Sequence, residues 1–149
     1  MLLTLACGVE MTSASSGAPA VVVGIDLVQV SQVAMSLDSL GEAYMRRICT
    51  PDEIAYCNAN PMMAPARFAA RFAAKEAALK VLRLDDQGLD LRAIEVKQMP
   101  GGWTDLILHG RAKQLADDAG WSSVSVSLSH EGDYATAVVA VIVNKKANG

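Results

Sequence analysis

Arg67-Phe68-Ala69-Ala70-Arg71-Phe72-Ala73-Ala74-Lys75-Glu76-Ala77-Ala78-Leu79-Lys80 is the stretch on which the fold turns. Alanine, arginine, lysine, leucine and glutamate are strong helix formers, and neither glycine nor proline interrupts the run. One long helix over residues 66–84 is predicted, closed by the polar loop Asp85-Asp86-Gln87-Gly88. At ~100° per residue, Phe72 and Leu79 fall ~40–60° to one side of Glu76, and Ala69, Ala73 and Lys80 within ~60° on the other. Glu76 therefore borders an apolar face and needs a cation. Lys80, four residues on, offers one in the favourable Glu-before-Lys order. Arg71, Lys75 and Lys80 could also neutralise phosphates, although basic residues on an amphipathic helix are commonly just solvated.

Upstream, Thr50-Pro51-Asp52-Glu53 reads as a helix start, with threonine as cap, proline in the first turn and Glu53 as the second half of a capping box. Asn58-Ala59-Asn60-Pro61 stops that short helix, and Pro65 permits the next. Residues 31–40 begin another helix, punctuated by Gly41. Val21-Val22-Val23-Gly24-Ile25-Asp26-Leu27-Val28 suits a buried strand, in which Asp26 is anomalous. An ionised carboxylate there costs several kcal/mol unless paired or metal-bound. The bland alternative is that Asp26 caps a turn at the strand end.

Downstream, residues 93–97 and 104–108 form a hairpin around Met99-Pro100-Gly101-Gly102, and residues 110–119 form a helix ending at Gly120. Val124-Ser125-Val126-Ser127-Leu128-Ser129 alternates strictly, as a half-buried strand does. After the turn at Glu131-Gly132-Asp133, residues 134–143 are apolar enough for a central strand. The order of elements is that of an α+β domain with mainly antiparallel pairing.

The 149 residues, 52% hydrophobic and 19% charged, suit one globular domain. A net charge of −3 argues against nucleic-acid binding. Arg46, Arg47, Arg67, Arg71, Lys75, Lys80 and Arg83 nevertheless make the middle of the chain locally basic, fit for an anionic ligand or acidic partner. Cys7, Cys49 and Cys57 show neither disulfide nor zinc spacing, which fits a reducing cytoplasm. No apolar run approaches the ~20 residues that span a bilayer. Met1 to Cys7 superficially suggest a lipoprotein signal but lack a basic start and a full apolar run. Residues 1–20 are read as a disordered extension, with Met11 an alternative start, and 21–149 as the domain.

Asp26 and Glu76, from separate elements and with no sulfur or imidazole around them, suit a hard, oxygen-preferring cation. Magnesium with so few carboxylates keeps waters and takes substrate phosphates as ligands, which implies a phosphate-bearing substrate. His130, before a glycine-containing turn, could face a cleft or serve as a partly buried hydrogen-bonding group. His109 carries no further signal.

Gly24-Ile25-Asp26, the 67–80 segment and Ser127-Leu128-Ser129-His130 together resemble, in order and spacing, the acyl-carrier-protein synthase family of 4′-phosphopantetheinyl transferases. The resemblance spans roughly residues 21–143, and its most specific part is Arg-Phe-Ala-Ala-Lys-Glu-Ala with lysine four residues beyond the glutamate. It implies that Asp26 and Glu76 are magnesium ligands, that Lys80 is the active-site lysine, and that Arg71, Lys80 and His130 bind coenzyme A. Glu76 and Lys80 would be catalytic, and Glu76 could accept the proton through a metal-bound water. The implied fold is a mainly antiparallel sheet packed on a long helix, assembled as a homotrimer with coenzyme A at subunit interfaces. The implied reaction is attack of a carrier serine on the β-phosphate of coenzyme A, with 3′,5′-ADP leaving. The partner is apo-acyl-carrier protein, of fatty-acid or polyketide synthesis. Two departures stand out. Gln32 occupies the place of an arginine that grips the carrier, for which Arg46 and Arg47 could substitute. Val81-Leu82-Arg83-Leu84 replaces a common glycine-containing run. A coenzyme A-binding homologue without transferase activity and a metal-dependent nucleotide phosphoesterase are the alternatives.

Overall fold

The computed structural model describes residues 18–84 and 88–144, so most of the expected extension and part of the 85–88 loop lie outside the described residues. Helix α4, Ala64–Leu82, organises the rest. Ala69, Ala73, Ala74, Ala77 and Ala78 are buried together with Phe68, Arg71, Lys75, Leu79 and Val81. A helix buried on nearly every side lies inside a fold, so α4 is the central helix rather than an amphipathic surface one. It starts before residue 66 because Pro65 occupies its first turn, where the missing N–H costs nothing. It ends on Arg83, whose φ of 55° is left-handed. Such a cap usually takes glycine, and the absent glycine run is thus met by a strained arginine.

Three antiparallel strands cover one side of α4: β1, Ala20–Gln29; β4, Trp121–Glu131; and β5, Tyr134–Val143. Their order is β1-β5-β4, which makes β5 the central strand. Ala137, Val139 and Val141 of β5 pack in one core with the α4 alanines. β1 is not the buried strand expected from its apolar run. It lies at the sheet edge, with Val21 65%, Val23 58%, Ile25 59% and Leu27 61% exposed. Only Val22, Gly24, Asp26 and Val28 alternate inward. The run is apolar on both faces, but the molecule covers only one.

Two further elements, α3, Pro51–Asn58, and β2, Ile94–Gln98, also pack on α4, while α2, Glu42–Ile48, packs on α3 and on residues 91–93, and β3, Thr104–Leu108, pairs with β2 and meets β4. A 3-10 turn, Leu91–Ala93, leads into β2, and α5, Gly110–Asp118, leads toward β4. The capping box at Thr50 forms in both halves. Helix α1, Val30–Leu40, has no side-chain cap of its own at Gln29. Asp133, from the β4–β5 turn, takes that role by accepting from Ser31 N at 2.8 Å and Ser31 Oγ at 2.7 Å. These bonds hold the Asp133 carboxyl below its usual range.

Candidate active site

The site begins at a residue without a side chain. A Cβ on Gly24 would lie 2.2 Å from the Ala77 carbonyl oxygen and 2.9 Å from Val81 Cγ2. Only glycine lets β1 press this closely on α4. Asp26, two residues on and facing the same way, is thereby delivered beside the stretch of α4 that carries Glu76 and Lys80.

Lys80 Nζ donates to Asp26 Oδ1 at 3.0 Å and to the Ile25 carbonyl at 2.8 Å. The Asp26 side chain is 13% exposed and that of Lys80 43%. Asp26 therefore caps no turn; its side chain pairs with Lys80. Thr136 Oγ1 donates to the Asp26 carbonyl at 2.7 Å and fixes the strand beneath it. Glu76 is half-buried one turn before Lys80, a spacing that sets Cβ atoms about 5–6 Å apart on one helix face. Asp26 and Lys80 thus meet, with Glu76 one helical turn away on the same face of α4. Among the described residues no three His, Cys, Asp or Glu side chains group as a metal site. The donors here are two carboxylates, which fit a hard cation completed by water and substrate oxygens.

His130 and Arg71 do not join this cluster directly. His130 pairs with Ala135, itself the partner of Val28. Alternation sets it on the sheet face of Asp26 but two strands across, about 10 Å away, and two residues along, about 7 Å. It is exposed. Arg71 precedes Lys80 by nine residues, which is about half a turn around the helix and about 13 Å along it. Its guanidinium carbon sits 4.2 Å from the centre of the Tyr56 ring, against α3. His109 is bonded to Glu95 at 2.7 Å instead.

Lys75 is not a phosphate ligand. It is fully buried and donates to Glu53 Oε2 at 2.8 Å, to the Leu91 carbonyl at 3.0 Å and to the Ile94 carbonyl at 2.7 Å. Glu53 Oε1 accepts from Val96 N at 2.9 Å. The capping-box signal found Glu53 but only its local half. Of the substitute carrier grips, Arg46 is tied to Glu42 at 2.7 Å, while Arg47 is exposed. Cys49 and Cys57 lie buried in the cluster that includes Phe68. Burial pushes the Cys49 thiol up to about 12 and the Cys57 thiol up to about 11.

The 4′-phosphopantetheinyl transferase superfamily matches residues 22–139, and the chain belongs to it. Within that superfamily it is 42% identical over 117 residues to the holo-[acyl-carrier-protein] synthase of Koribacter versatilis, covering 78% of this chain and 93% of that one. The enzyme of the same name from Moorella thermoacetica is 41% identical over 118 residues, 79% of this chain and 91% of its own. The solved ACPS–CoA complex of Chronobacterium ammoniagenes superposes with a TM-score of 0.75 at 28% identity, over 85% of this chain and 99% of that one.

Proposed function

We propose that this chain transfers the 4′-phosphopantetheine arm of coenzyme A to a serine of apo-acyl-carrier protein, releasing 3′,5′-ADP. The carrying observation is the convergence of Asp26 and Lys80, bonded at 3.0 Å, with Glu76 one helical turn away, in a chain of this family. Asp26 and Glu76 would hold a magnesium ion. When bound, that ion supplies charge neutralisation to the diphosphate.

The protein groups supply placement. Lys80 uses two of its three donors on Asp26 and Ile25, leaving one N–H for a phosphate oxygen. Glu76 would accept the proton of the attacking serine through an intervening water. Arg71 offers a planar fork for a second phosphate and His130 a further donor. Because Arg71 and Lys80 lie on opposite sides of α4, a coenzyme that meets both lies between copies of the chain. The exposed apolar face of β1, continued by Ile142 at 41% exposure, supplies the surface for a homotrimer. Arg47 meets the acidic carrier where Gln32 has no charge to give. Among the described residues no helix is long and apolar enough to cross a membrane, and we place the enzyme in the cytoplasm.

Mass spectrometry of apo-carrier protein incubated with coenzyme A and magnesium tests the reading. One phosphopantetheine is expected on the carrier serine. The gain should fall about a hundredfold or more in rate with Glu76→Gln, which removes charge and little volume. No gain across several carriers sinks the transferase, and phosphate release without a carrier favours a phosphoesterase.

A further inference from the structure

Arg71 is 3% exposed, and its Nε has no hydrogen-bond partner. Among the described residues no carboxylate pairs with it. A guanidinium so placed is costly without a counter-charge. What holds it is Tyr56: Arg71 Cζ lies 4.2 Å and Arg67 Cζ 4.5 Å from the same ring centre. Arg67 Nη1 is further fixed on the Tyr56 carbonyl at 2.8 Å.

The surroundings are unbalanced in charge. Arg67, Arg71, Lys75 and Glu53 all act on the Cys57 thiol, three cations against one carboxylate. That carboxylate is spent on Lys75 and on the backbone N–H groups of Thr50 and Val96. One tyrosine ring attracts a cation but neutralises none. Among the described residues the cluster therefore holds more positive charge than negative.

We infer that Tyr56 is a positioning residue for the coenzyme. With its guanidinium carbon held over the ring, Arg71 keeps Nε without a protein acceptor, a donor left for a phosphate group. The inference rests on the proposed contact between Arg71 and coenzyme A phosphate. It adds that the tyrosine ring, rather than a carboxylate, orients the arginine, so no internal acid competes with the ligand.

Steady-state kinetics on the full chain test this. Tyr56→Leu should raise KM for coenzyme A about tenfold with kcat within about twofold. Tyr56→Phe, which keeps the ring, should restore the native KM. Arg71→Lys should show the same KM defect, and the two defects should not add in Tyr56→Leu/Arg71→Lys. A native KM in an active Tyr56→Leu enzyme overturns the assignment, as does a parallel fall in kcat that phenylalanine does not rescue. Should Tyr56→Leu not fold, Tyr56→His provides a weaker ring of fitting size, for which an intermediate KM is expected and a native one overturns the inference. A native chain inactive on coenzyme A would instead overturn the transferase reading beneath it.

Discussion

Helix α4 carries two lysines five residues apart, each bonded to a carboxylate from another element, and the two pairs differ in almost everything else. Lys75–Glu53 is sealed, with side chains 0% and 1% exposed; Lys80–Asp26 is open, at 43% and 13%. Lys75 spends all three donors on protein acceptors, whereas Lys80 spends two. The sealed pair joins α3, α4 and β2 and has nothing left to offer a ligand. The open pair can exchange a partner. The same two residue types therefore make a closed joint on one side of the helix and an open contact on the other, and burial decides which.

The largest effect should come from breaking the sealed pair. Lys75→Met leaves Glu53 buried without its cation and should cost about 3–5 kcal/mol in urea denaturation. Stability within about 1 kcal/mol of native would erase the contrast. Lys80→Met should do the reverse. Its partly exposed ion pair contributes about 0–1 kcal/mol to folding, while loss of the donor should slow transfer about a hundredfold in the carrier assay. An active Lys80→Met enzyme would make the open pair as structural as the sealed one. The smallest effect concerns Cys49 and Cys57, which line the sealed side. Burial raises both thiols, to about 12 and about 11, so both stay protonated near neutral pH and gain reactivity only as pH rises toward those values. In a Cys7→Ser background, a thiol-specific disulfide reagent at pH 8 should label neither until urea is added, and prompt labelling of the folded protein would show the cluster to be open.

Local signals in the sequence carried most of the fold. The alanine-rich run, the Thr50–Glu53 capping box and the alternation around Val124 each act within a few residues, and each became the element they predicted. Helix α2 escaped notice because seven residues are too few for periodicity to show; its stability comes from packing. Asp26 was legible as an anomaly because a carboxylate in an apolar strand demands a partner. Which partner it took was not, since Lys80 is 54 residues away. Lys75 was misread for a related reason: a lysine on a helix carries no mark of whether the opposite wall will supply carbonyls or water. Tyr56 gave no signal at all, because its stacking depends on how α3 lies against α4.

Gly24 sets the tolerance of the whole arrangement. Where β1 crosses Ala77, main chain rests on main chain, so the approach of Asp26 to α4 is fixed by atoms that every amino acid shares. A single methyl at position 24 would wedge strand and helix apart, and Asp26 would be carried away from Lys80.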